Sequence, residues 1–105
     1  MISIQVVPAS GTDAHKALRR KISGKASTWY WADRSKTRLK HVQSTGCIKV
    51  ANAGGVLVAR VMPKKSRDLF YLTEKFMGRL VAWFEDDLAA INVQFVAAPR
   101  ERAAK

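Results

Sequence analysis

From residue 27 to residue 62 the chain passes through four short stretches of strand character, 27–32, 37–42, 47–53 and 56–62, separated by Asp33-Arg34-Ser35-Lys36, Gln43-Ser44-Thr45-Gly46 and Gly54-Gly55. Short apolar runs bounded by Gly, Ser, Asn and Asp predict an antiparallel meander. Upstream, Ile2, Ile4 and Val6 alternate with Ser3, Gln5 and Val7, which predicts a half-buried strand ended by Pro8. Ser10-Gly11-Thr12-Asp13 has the form of a capping box, and Ala14, Ala17, Leu18 and Ile22 follow at helical spacing until Gly24. Downstream, Ser66 is the expected N-cap of the longest periodic segment, with Asp68 in its first turn. Leu69, Leu72, Phe76, Leu80 and Trp83 form one stripe of that helix, and Phe70, Met77, Val81, Phe84 and Leu88 form a second. A band this wide has to bury two sides, against the sheet and against either the first helix or another subunit. Gly78, in mid-helix at a cost of roughly 1 kcal/mol relative to alanine, points to a close helix contact. Glu85-Asp86-Asp87 ends the helix, and residues 91–96 alternate as a sixth strand.

The order β-α-β-β-β-β-α-β defines an α+β class, an antiparallel meander sheet with two helices packed on one face as an open-faced sandwich. Right-handed crossovers put both helices on the same side and leave the other side of the sheet open. Residues 1–99 form one domain, and 100–105 read as a disordered basic tail.

Loop length predicts which side chains share the open face, because even-length connections pair residues that point the same way. Two four-residue connections and a Gly54-Gly55 turn give one transverse row, Trp29-Lys40-Lys49-Arg60, and a second, Trp31-Arg38-Ala51-Val58. Tyr30, Leu39, Val50 and Ala59, with Thr28, His41, Ile48 and Val61, fall on the covered face. A one-residue change in either longer loop reverses this, turning Tyr30 outward and the tryptophans inward. Rings interleaved with cations on an exposed sheet suit unstacked bases and phosphates. The competing readings of such a face are a solvated or self-packed surface, with the tryptophans as cation–π partners, and a protein interface.

Charge sharpens the picture. The chain carries 19 Lys and Arg against 8 Asp and Glu, and 13 of the bases but only 2 of the acids lie in the first 65 residues. That asymmetry suggests nucleic acid, an anionic membrane surface or an acidic protein partner, and Lys16 and Arg20 on the first helix extend the field. The single Cys47 excludes an internal disulfide and any zinc site needing two cysteines, so no metal or cofactor is expected. No leader or membrane-length apolar run is read, so a cytoplasmic location is expected and no membrane partner. His41 reads as a core histidine and His15 as a surface one, and no nucleophile, base and orienter set is present, so no enzymatic activity is expected.

A four-stranded meander followed by a long helix resembles the layout of some single-stranded DNA-binding transcription cofactors, which dimerise through that helix. The Lys/Arg-Gly-aromatic octapeptide of RNA-recognition domains is absent. The reading is a nucleic-acid-binding domain of low sequence specificity that prefers single strands. Its expected contacts are Trp29, Trp31, Arg38, Lys40, Lys49, Arg60, Lys16 and Arg20, and a homodimer is expected through Met77, Val81 and Phe84. The alternative is a homodimeric interaction module or an adaptor for an acidic protein.

Overall fold

In the computed structural model, which describes residues 2–9, 12–24 and 28–96, the chain forms six strands and two helices. In chain order these are β1 (Ile2–Pro8), α1 (Ala14–Gly24), β2 (Trp29–Trp31), β3 (Arg38–His41), β4 (Cys47–Ala53), β5 (Val56–Met62), α2 (Arg67–Phe84) and β6 (Leu88–Phe95). Ser10 and Gly11 of the expected capping box, Lys25, Ser27 and the tail 100–105 lie outside the described residues.

All paired strands are antiparallel, in the order β2-β3-β4-β5-β1-β6. The segment from β2 to β5 is the expected meander. β1 then inserts between β5 and β6, so the sheet as a whole is not a simple meander. Following the strand directions across the sheet, β1 is parallel to β2 and β5 is parallel to β6. Each helix is therefore a crossover, the kind of long connection that parallel strands require. α1 carries the chain from β1 to the far edge, and α2 carries it past β1 to the other edge.

Alternation along the strands sorts the two faces. Ile2, Ile4, Val6, Leu39, Ile48, Val50, Leu57, Ala59 and Val61 are buried in one core with Ala14, Leu18 and Ile22 of α1 and Leu72, Phe76, Leu80 and Phe84 of α2. Since both helices share that core, they cover the same face. Directly paired residues extend it in rows, one of them running Trp31, Leu39, Ile48, Val61, Ile2.

The helix starts differ from the expected ones. The N-terminal signal of α1 is Asp13 itself, whose Oδ1 accepts the Lys16 N–H at 3.0 Å. Ser66 sits at the N-cap of α2 with helical φ −58° and ψ −33° and makes no side-chain cap. Asp68, buried in the first turn, holds the β3–β4 connection instead: it accepts the Thr45 hydroxyl and, at 3.0 Å, the Thr45 N–H. Those two hydrogen bonds, with Arg67 and Lys65 nearby, hold its carboxyl below the usual range. The same connection ends at Gly46, where φ is +79° and an added Cβ would lie 2.3 Å from the Met62 carbonyl oxygen. No other residue fits there without moving the backbone. Gly78 shows the reverse. It lies exposed with open space where a Cβ would stand, so no close helix contact explains it.

Candidate nucleic-acid interface

Three connections decide what the open face presents. In the β4–β5 hairpin, Gly54 and Gly55 both have positive φ, +62° and +94°, and the Asn52 side chain accepts the Gly55 N–H at 2.7 Å. This two-residue turn has the twist that hairpins favour and sets Lys49 opposite Arg60, as expected. Between β3 and β4 the strands leave off two residues earlier than expected, so Lys49 faces Arg38 rather than Lys40. A shift by two keeps every side chain on its face.

The β2–β3 connection differs by one residue, and the consequence is large. Asp33 organises a five-residue loop, 33–37, by accepting the Thr37 and Arg38 N–H groups at 3.0 Å each, the Ser35 hydroxyl at 2.9 Å and the Thr37 hydroxyl. These bonds, the Thr37 hydroxyl foremost, hold the Asp33 carboxyl well below the ordinary carboxylate range. Lys36 takes a left-handed φ of +57° to close the loop, and the Ala32 N–H donates to the Arg38 carbonyl at 2.8 Å. The pairs are then Trp29 with His41, Tyr30 with Lys40 and Trp31 with Leu39. Tyr30 points outward and the two tryptophans turn to the helix side, correcting the expected register.

Trp29 is buried at 3% exposure, with its ring edge-on to His41 at 4.7 Å and to Phe76 at 6.0 Å. Trp31 is half-buried and packs on the core. Neither presents a ring on the open face. His41 is the expected core histidine: its Nδ1 accepts the Gln43 N–H at 3.1 Å, and burial, with Lys75 and Arg79 close by, pushes its pKa down from 6.5.

What the open face does present is a row of directly paired residues, Arg38, Lys49, Arg60, Ser3 and Gln94. Three cations stand side by side on β3, β4 and β5, about 10 Å from end to end at normal strand spacing. All three are exposed, and among the described residues none has an acidic ion-pair partner. Lys40 lies beyond Arg38 on the same face, across from Tyr30, which is 45% exposed. Lys49 and Arg60 border a shallow hollow of about 400 Å³ with Thr37, Ala51 and Val58. The neighbouring row, Ala51, Val58, Gln5 and Asn92, is small or neutral.

Lys16 and Arg20 do not join this surface. They line a cleft of about 220 Å³ between α1 and the end of α2, above Val6 and Leu88, on the helix side of the sheet. Of the expected dimer residues, Phe84 is buried in the core and in the wall of that cleft, Met77 is half-buried against the core, and Val81 is 54% exposed. Tyr30 is the residue that the expected register hides. Its signal was Asp33 followed by Ser35 and Thr37, hydroxyls spaced to satisfy one carboxylate across a longer loop.

No protein-family model matches the chain, and no curated protein or solved structure does. Among the described residues, no three His, Cys, Asp or Glu side chains are grouped so as to hold a metal ion, and no helix is long and apolar enough to cross a membrane.

Proposed function

We propose that this chain is a nucleic-acid-binding domain that contacts the phosphate backbone through Arg38, Lys49 and Arg60, with Lys40 and Tyr30 at the end of the row, and that it binds rather than catalyses. The observation that carries the reading is the direct cross-strand pairing of like charges. Opposed cations destabilise a sheet, where opposite charges would contribute roughly 0.2–1 kcal/mol per pair. Folding alone gives no reason to set Arg38 against Lys49 and Lys49 against Arg60. An anion laid across them removes the penalty. With Tyr30 as the outward ring of β2, one base rather than two has an aromatic platform, so affinity rests chiefly on counterion release and sequence is read weakly.

Fluorescence anisotropy with single- and double-stranded DNA and RNA, at several salt concentrations, tests this. Affinity for single strands should fall with salt at a slope of about −0.7 per neutralised phosphate. Lys49→Gln should lower affinity and flatten that slope by close to one phosphate, while Lys16→Gln, on the other side of the molecule, changes both far less. Absence of binding at low salt, or equal losses from the two substitutions, overturns the assignment.

A further inference from the structure

We infer that the β6 edge, with the adjoining flank of α2, receives a second copy of this chain by antiparallel pairing of β6 with β6 about a two-fold axis perpendicular to the sheet. β6 is eight residues long, and from Leu88 to Phe95 it contains no charged residue and no proline. Exposed edges are normally blunted by such residues, because a bare row of backbone donors and acceptors templates another strand. The strand's helix side is equally open: Val93 and Phe95, which pair with Ile4 and Ile2, are 38% and 82% exposed. On α2, Tyr71, Lys75 and Arg79 lie on the flank towards Trp29 and His41. Helical spacing puts Phe70, Met77 and Val81 away from that flank. Phe70 and Val81 are 71% and 54% exposed. Val93 and Phe95 are thus an apolar floor along the edge, and Met77 and Val81 an apolar wall on α2, on a chain of net charge +11.

Charge selects a second copy as the occupant. The cationic row occupies β3, β4 and β5, so two copies joined at β6 hold their rows at opposite ends of one twelve-stranded sheet. Directly paired residues point the same way, so the register must pair odd positions with odd, as Ile91 with Ile91 or Val93 with Val93, or even with even, as Asn92 with Asn92. Any other register puts the two helix layers on opposite sides of the joined sheet.

The experiment is sedimentation equilibrium of the full chain from low to high micromolar concentration, with hydrogen exchange of the β6 amides at both ends of that range. The expected result is a dimeric mass at the upper end, with β6 amides gaining protection in step with association. Val93→Lys, in the floor, and Val81→Glu, in the wall, should each raise the dissociation constant at least tenfold with an unchanged circular dichroism spectrum. A chain that stays monomeric at high micromolar concentration overturns the inference. So does a dimer whose β6 amides exchange as fast as the monomer's, which would mean that the copies meet elsewhere. If Val93→Lys does not fold, Val81→Glu and wild-type exchange still decide.

Discussion

At the β2 edge three residues are enough to finish the sheet, because Trp29 folds under α2 against Phe76 and His41, whereas at the β6 edge eight residues end with Phe95 uncovered. The reason is the path of α2. Its 18 residues span about 27 Å, starting where Asp68 holds Thr45 beside β3 and β4 and ending at the turn that opens β6. α1 also runs to the β2 edge, so the two helices together seal the corner holding Trp29 and leave the corner holding Phe95 bare. Edge protection in this molecule is thus a matter of where the helices lie, and the two edges should answer perturbation differently.

The largest effect should separate them directly. Trp29→Ala removes a buried ring and should cost about 3–5 kcal/mol in urea unfolding. Phe95→Ala, measured in dilute protein, should stay within about 0.5 kcal/mol. Similar costs at both sites would abolish the distinction. Next is Gly46→Ala at the β3–β4 connection, where left-handed φ and the Met62 carbonyl both resist a side chain. It should destabilise by about 1–3 kcal/mol, seen as a lower urea midpoint with unchanged slope.

A pH series sharpens the comparison without changing the sealed corner's shape. His41 has its folded pKa depressed below 6.5, so the unfolded chain takes up its proton first as pH falls. Its contribution is complete above pH 6.5 and is lost below it, and thermal stability should decline from that point on acidification. His41→Phe should flatten the decline until carboxylates such as Asp68 begin to protonate. The smallest effect is Gly78→Ala on the solvent face of α2, which should stabilise by roughly 0.5–1 kcal/mol in the same urea assay, since nothing opposes the added methyl.

Much of this architecture was legible in periodicity. The stripe of α1, the first stripe of α2 and the inward sets of β1, β4 and β5 were readable, because burial imposes the same spacing on the sequence as on the structure, whereas the second stripe of α2 leaves Phe70 and Val81 exposed. Gly54-Gly55 gave the β4–β5 register because two residues with positive φ allow few turns. The place of β1 was not legible: alternation says which face a side chain takes and nothing about which strand lies beside it. The cationic site survived a wrong loop length at β3–β4, since an error of two residues preserves facing. It lost Trp29 and Trp31 to an error of one at β2–β3. A side-chain network around Asp33 lengthened that loop, and residue-by-residue turn propensity does not count such a network.

The same loop bears on how freely the chain could change length there. Shortening 33–37 by one residue sets two requirements against each other, the hydrogen bonds gathered on Asp33 and the indole lodged against Phe76. Solvent-exposed hydrogen bonds contribute about 0.5–1.5 kcal/mol each and can be replaced by water or re-formed in a shorter turn, whereas uncovering a large ring costs about 3–5 kcal/mol with nothing to replace its packing. The loop would reshape and the ring would stay. Insertions and deletions between Ala32 and Arg38 are therefore absorbed by a follower, and the identity of the outward aromatic is decided some distance away, by what fits beneath a helix.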